Sequence, residues 1–319
     1  MEQTILFNEI RDVIQANRFS NSTEKSYVGW IYRFIIFNNK RHPKEMGDSE
    51  VTEYLNYLTE KRHVSPSTRN QAMNALVFLY DKVLNTPLSS LNFKHAKIRK
   101  RLPVVLSREE VQEILDNLQG EYQLMTSLIY GSGLKLNECL SLRIRDIHIE
   151  KEEITIRNDN DETERKTLLP NRIVPRLSRQ IQKISIQFEE NRLIPDFTGA
   201  TLPDHIEEAH PEYAMEWDWQ YLFPSGKPTA ENGTDKLRQH HLNESYLQKA
   251  VKEAVRHTRI TKHVSCYTFR HSFATHLLED GYCIETVQKL LGHKDIRNTM
   301  IYRQVLNKNK FTVRSPLDL

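Results

Sequence analysis

The chain has 319 residues, 38% of them hydrophobic, which is enough for two domains of ordinary size, each with its own core. Its three cysteines lack metal spacing and are too few for a disulfide framework, and no run reaches the ~20 apolar residues of a membrane-spanning helix. The net charge of +3 singles out no partner by itself, but it is unevenly placed: Met1–Leu102 carries 16 Lys and Arg against 10 Asp and Glu, while Glu189–Asp218 holds nine acids and a lone basic residue, Arg192.

The first ~90 residues read as helices. Tyr27, Trp30, Ile31, Phe34 and Ile35 follow the i, i+3, i+4, i+7 rule and predict one buried face. A short helix is expected over Ser49–Lys61 with Val51, Tyr54, Leu55 and Leu58 inward. Ser67 offers an N-cap for the next, whose apolar face is Met73, Leu76, Leu79, Tyr80 and Val83. Pro87 and Ser89-Ser90 close this region, and Lys94-His-Ala-Lys97-Ile-Arg99-Lys100-Arg101 follows, five basic residues in eight. Such a run is either a solvated strap or one that tracks a polyanion's backbone.

Ser107-Arg-Glu-Glu110 is a capping box opening a helix through Val111, Ile114, Leu115 and Leu118. Leu124–Tyr130 continues helical, Gly131 and Gly133 predict a turn, and Leu134–Leu142 another helix. Glu153–Arg157 alternates as a strand, with Lys166–Pro170 as its return partner. Beyond Pro175 the pattern is helical except over Asp196–Phe223. Cys139 and Cys283 fall inside apolar-periodic segments, which predicts buried free thiols in a reducing cytosol, and the N-terminus lacks a signal-peptide pattern. A soluble cytoplasmic protein is expected.

Late in the chain, Thr268-Phe-Arg270-His271-Ser-Phe-Ala-Thr-His276 precedes Leu290-Leu-Gly-His293-Lys-Asp-Ile-Arg-Asn-Thr-Met-Ile-Tyr302. This arrangement resembles the C-terminal active-site block of the tyrosine recombinases. The resemblance implies that Tyr302 attacks a DNA phosphate, that Arg270 clamps the phosphate oxygens with its planar fork, and that His293 donates a further hydrogen bond. His271 and His276 share the Arg270 helix and are read as pointing elsewhere, in structural roles.

Three of the six catalytic positions implied by the resemblance depart from the family pattern. In Gly133-Leu-Lys135-Leu-Asn-Glu138, Lys135 stands where the family has arginine, and losing that fork weakens oxyanion stabilisation by about 2–4 kcal/mol. Tyr267 takes the histidine position of His-x-x-Arg. In the hairpin turn Arg157-Asn-Asp-Asn160-Asp-Glu-Thr-Glu164, Asn160 falls in the slot of the lysine that serves as general acid, and an amide cannot give up a proton at neutral pH. Lys166 could replace it only if the hairpin paired in another register. The surrounding carboxylates are expected to repel a phosphate.

The acidic, Trp-rich stretch before Tyr221-Leu-Phe-Pro-Ser225, the His240-His241 pair and the tail Val313–Leu319 are similar to integron integrases. That likeness implies an insert that reads extrahelical bases of a folded single-stranded site, with Trp219 as stacking platform and His240 and His241 alongside. Arg157 sits where some relatives have a second aromatic, and could stack or contact phosphate.

The expected fold is mainly α with a small β-sheet (α+β), a two-domain DNA clamp. It comprises a helical core-binding (SAM-like) domain over residues 1–92, a basic linker over 93–103 and a catalytic domain over 104–319 with an insert at about 190–222. Lys94, Lys97, Arg99, Lys100 and Arg101 of the linker are expected on DNA. No cofactor or metal is called for, since a phosphotyrosine bond conserves the energy of the broken ester. The resemblance further implies a homo-tetramer on duplex or folded attachment sites. The chemistry is expected to be weakened or lost. The alternatives are a silent DNA-binding protein that competes for recombination sites and a nicking, topoisomerase-like enzyme.

Overall fold

A computed structural model describes residues 2–17, 19, 21–88, 102–158, 161–231 and 236–309. Its contacts divide the chain into two units, Met1–Arg101 and Leu102–Leu319. The basic run Lys94, Lys97, Arg99, Lys100 and Arg101, Asn160 and the tail after Asn309 lie outside the described residues.

The first unit contains α1 (Glu2–Ala16), α2 (Asn21–Phe37), α3 (Asp48–Glu60) and α4 (Pro66–Phe78), the last running into a π-helical turn at Leu79–Val83. Ile31, Phe34 and Ile35 of α2, Val51 and Leu55 of α3, and Met73, Leu76 and Leu79 are buried together, so the helical spacing of these residues is the cause of the bundle. Burying each such side chain contributes about 1.5–3 kcal/mol. α1 adds Leu6, Ile10 and Ile14 to the same core. The cap of α4 is Ser65, not Ser67: its side chain accepts from Thr68 N at 3.2 Å, and Pro66, with φ already helical and no N–H to satisfy, starts the helix.

The second unit begins with α5 (Arg108–Asp116), where the Ser107 hydroxyl accepts from Glu110 N at 3.2 Å and the Glu110 carboxylate accepts from Ser107 N at 2.7 Å. α6 (Gly120–Ser132) and α7 (Leu136–Leu140) follow. A three-stranded antiparallel sheet is built from β1 (Ile147–His148), β2 (Glu153–Arg157) and β3 (Thr163–Leu168), in the order β1-β2-β3. The return strand thus starts earlier than expected and ends before Pro170, which has no N–H for the ladder. α8 (Val174–Arg192) then leads to a second sheet that the sequence pattern hid. It consists of β4 (Phe197–Ala200), β5 (Thr229–Ala230) and β6 (Leu237–Gln239), with β6 central and parallel to β4, and α9 (Asp204–Ala209) lies between β4 and β5 in the chain.

Four helices complete the unit: α10 (Glu244–Arg256), α11 (Cys266–Glu279), α12 (Ile284–Leu291) and α13 (Arg297–Asn309). α6 supplies Met125, Leu128 and Ile129 to the main core, against which α11 places Phe269. A smaller cluster of Phe273, Ala274, Val287, Leu291 and Tyr302 ties α11, α12 and α13 together. Cys139 and Cys266 are buried, but Cys283 is exposed, because it occupies the N-cap position of α12 rather than its apolar face. The fold is mainly helical with small sheets. No helix among the described residues is long and apolar enough to cross a membrane.

Candidate active site

Two left-handed glycines shape the floor of the site. α6 ends at Gly133 and α12 at Gly292, both with φ of +66°, a conformation that side chains disfavour. Space is short as well: a Cβ would come within 2.4 Å of Phe273 at Gly133 and 2.8 Å of Arg165 at Gly292. These turns aim the carbonyls of Gly133 and Leu291 at Arg270 of α11, which donates to them at 2.5 and 2.6 Å and is only 3% exposed. The chain leaves the same two turns towards Lys135 and His293.

Glu138 of α7 binds the cations around it. Arg165 of β3 donates to both its oxygens, at 2.9 and 2.7 Å, and Lys135 approaches with its backbone N–H at 2.7 Å and its ammonium at 3.0 Å. Arg270 lies 3.7 Å away. Burial alone would raise the Glu138 pKa, but these partners, Arg165 foremost, hold it down to about 2. Lys135, 39% exposed at its side chain, is therefore engaged by a carboxylate. Arg165 was not among the sequence candidates. Its signal was faint: a charged residue on the inward-facing, alternate positions of β3, whose burial pattern alternates over Arg165 and Thr167.

Tyr302 of α13 is 2% exposed, and its hydroxyl lies 2.9 Å from Nδ1 of His271. This corrects the reading of His271 as pointing elsewhere. Adjacent helix residues diverge by about 100°, but α13 crosses α11 so that Tyr302 covers the side on which His271 emerges. The His293 ring is nearly parallel to that of Tyr302, at 13° and 6.4 Å between centroids, and its Nδ1 meets Thr299 Oγ1 at 2.9 Å. His276 is structural: Nδ1 meets the Tyr130 hydroxyl and Nε2 the Leu106 carbonyl. Tyr267, 52% exposed, opens α11 with its ring 6.1 Å from that of His271.

Burial first, and the neighbouring Arg270 second, pull the pKa of both His271 and His293 down to about 4. Burial pushes the Tyr302 phenol up, and Arg270 opposes that shift. At neutral pH the α11–α13 side is thus a phenol and two uncharged imidazoles beside one guanidinium.

The hairpin side differs. Asp161, at φ +60° in the turn, forms an ion pair with Arg145 and accepts from Arg157 through its carbonyl at 3.1 Å. Arg157 also donates from Nε to Asp146 at 2.8 Å. Arg157 is therefore neither a free stacking surface nor a free phosphate ligand, and the Asp161 carboxylate is matched by cations rather than left to repel. Lys166 pairs in register with Thr155 on the face opposite Arg165, with Nζ on Glu153 at 2.9 Å, so it does not reach the turn.

Trp219 also departs from expectation. It is 5% exposed, with the Arg145 guanidinium 3.4 Å above its ring and Tyr213 stacked on it at 5.2 Å. Arg143 donates to its carbonyl and lies over the Tyr221 ring. With no open face, Trp219 is a packed layer in this structure rather than a waiting platform. His240 and His241 line an open groove of about 1090 Å³ together with Arg179, Lys183, Asn191 and Tyr246. His240 Nδ1 meets Thr201 Oγ1 at 3.1 Å, and His241 Nδ1 donates to the Leu242 carbonyl at 2.8 Å. Among the described residues, no group of three or more His, Cys, Asp or Glu side chains is arranged to hold a metal.

Residues 104–309 match the phage integrase family and residues 6–90 match the phage integrase N-terminal SAM-like domain. An integrase/recombinase of Escherichia coli is 38% identical over 314 residues, covering 98% of this chain and 93% of that protein. A tyrosine recombinase of Thermosipho africanus is 26% identical over 306 residues, covering 92% of each. Among solved structures, the XerH site-specific recombinase bound to difH substrate superposes with a TM-score of 0.61 at 18% identity, covering 97% of this chain and 85% of that one. The Tn1549 transposon integrase in complex with transposon right end DNA gives 0.62 at 16% identity, covering 98% and 96%. The chain belongs to the phage integrase family. Its class of function is that of a site-specific tyrosine recombinase.

Proposed function

We propose that this chain is a recombinase of the integron type, with Tyr302 as nucleophile, Arg270 and His293 as phosphate ligands, and a cleavage step weakened at Lys135, Tyr267 and Asn160. The observation that carries the reading is the meeting of Arg270, His293 and Tyr302 at the turns after Gly133 and Gly292, while Lys135 is held by Glu138. A guanidinium there would present two donors to a phosphate; an ammonium bound to a carboxylate presents less. DNA is the proposed substrate, as in the XerH and Tn1549 complexes. The helical domain, the basic linker and the catalytic domain would grip it within a homo-tetramer.

The integron-type reading rests on the acidic insert, His240 and His241. Because Arg145 and Tyr213 cover Trp219, an extrahelical base reaches that ring only by displacing one of them. Binding to a folded single-stranded site should fall steeply with salt, and equal affinity for the same hairpin without its protruding bases would sink the integron-type reading. A nicked suicide substrate tests the chemistry. Trace or no covalent protein–DNA product is expected, abolished by Tyr302→Phe. Trapping at rates typical of an intact relative would refute the damage, whereas tight binding with no trapping under any condition would favour a silent DNA-binding protein.

A further inference from the structure

We propose that His271 is a catalytic residue: it takes the phenolic proton of Tyr302 as the tyrosine attacks phosphorus and returns it when the strand is rejoined. The inference rests on the recombinase reading above. Its ground is geometric. Among the described residues, His271 Nδ1 is the hydrogen-bond partner of the Tyr302 hydroxyl, at 2.9 Å. The phenol is buried, so bulk water does not replace that acceptor. His293 is stacked against the same ring, but its Nδ1 is engaged by Thr299 and its centroid is 6.4 Å from that of Tyr302, which suits it to the phosphate rather than to the phenol.

The charge state of His271 agrees. The groups facing it are Arg270 and Tyr267 on its own helix, Tyr302 from α13 and His293 from the turn after α12. Burial and Arg270 hold it uncharged at neutral pH, so one ring nitrogen is a free acceptor. With the proton on Nε2, Nδ1 receives the hydrogen bond from the phenol. A scissile phosphate brings negative charge beside the ring and favours the imidazolium that forms.

The step balances as follows. The bond from Tyr302 Oη to phosphorus forms, and its proton passes to His271 Nδ1. The bond from phosphorus to the 5′ oxygen breaks, and that oxygen takes a proton from water, since position 160 is an amide. In rejoining, the 5′ hydroxyl attacks phosphorus and yields its proton to water, and the imidazolium protonates the departing phenolate.

A substrate with sulfur at the bridging 5′ position isolates this role, because a thiolate leaves without a proton. On it, the intact chain should trap DNA measurably and with a rate nearly level above neutral pH. His271→Asn, which places an amide oxygen near the Nδ1 position but cannot accept a proton, should be about 10²–10⁴-fold slower. Its rate should climb about tenfold per pH unit as the phenol ionises unaided. Nitrogen NMR of the intact protein supplies a second reading that needs no cleavage. His271 should be the uncharged Nε2–H tautomer, with its Nδ1 resonance displaced by Tyr302→Phe. Trapping by His271→Asn with wild-type rate and pH profile, or an Nδ1–H tautomer donating to Tyr302, overturns the assignment while leaving the recombinase reading intact. Equal absence of trapping by the intact chain and Tyr302→Phe removes that reading, and the proton transfer with it.

Discussion

On the α11–α13 side of the candidate site, Arg270 and Tyr302 are buried and His271 and His293 half-buried; the group is uncharged but for the guanidinium, and is held by backbone carbonyls, by Thr299 or by one another. On the hairpin side, Lys135, Arg145 and Arg157 each already have a carboxylate of the same chain: Glu138, Asp161 and Asp146. One side is fixed by neutral partners; the other has satisfied its charges with carboxylates of the same chain. Preorganised donors are effective in catalysis because they need not be reoriented during the reaction. The hairpin side must first surrender ion pairs.

The largest expected break in this comparison is at Glu138, which touches both sides. Glu138→Ala leaves Arg165 buried without its partner, and should lower stability by about 3–5 kcal/mol in denaturant titrations. A loss below 1 kcal/mol would mean that the cations find other partners and that the two sides are independent. Next in size is repair. Lys135→Arg, Asn160→Lys and Tyr267→His together should raise strand cleavage on ordinary DNA by more than the sum of the single changes, since they act on one transition state. The arginine fork alone is worth about 2–4 kcal/mol once it leaves Glu138. If cleavage stays absent in folded, DNA-binding triple variants, even with the carboxylates of the turn neutralised, the defect lies in the presentation of Tyr302.

Acid should expose the buried side selectively. His271 and His293 have folded pKa values of about 4 against an ordinary 6.5, so the unfolded chain binds more protons between those values. Their contribution is complete above pH 6.5 and is lost as pH falls towards 4, on the order of 1–3 kcal/mol once solvent screening of the two partly exposed rings is discounted. Glu138, held at about 2 against 4.5, adds a second loss from pH 4.5 downwards. Replacing both histidines with Asn should flatten the upper window and leave the lower one, read as denaturation midpoint against pH. The smallest effect belongs to Lys166→Ala. Its exposed pair with Glu153 contributes less than about 1 kcal/mol, and its face of β3 gives it no part in cleavage of the sulfur-bridged substrate.

These contrasts also mark what the chain discloses before folding. Arg270, His293 and Tyr302 are legible because their spacing is a local property of three late helices. The helical face of α2 and the capping box at Ser107 are legible for the same reason. His271 is not: a helical wheel gives the direction of a side chain but not what a distant helix lays across it. Arg165 hides likewise, since one charged residue in a strand does not say that a carboxylate from α7 awaits it. β4, β5 and β6 span two to four residues each, too short for alternation to show. Trp219 looked like an open platform because a run of aromatic residues carries no record of which rings fill one another.

That filled ring gives the protein a built-in optical signal. Among the described residues, Trp219 has a guanidinium pressed to within 3.4 Å of its ring and a tyrosine stacked on it, whereas Trp30 has Arg33 at 4.8 Å and Trp217 the tilted Phe188 at 6.0 Å. An indole in such a column emits in a shielded, polarised environment and collects excitation from Tyr213. Peeling away Arg145 or Tyr213 should redden the emission and weaken the tyrosine-sensitised part, while a nucleobase arriving in the vacated layer should darken it. With Trp30 and Trp217 replaced by Phe, the colour and brightness of one residue would report, in real time and without a label, whether this column opens for DNA.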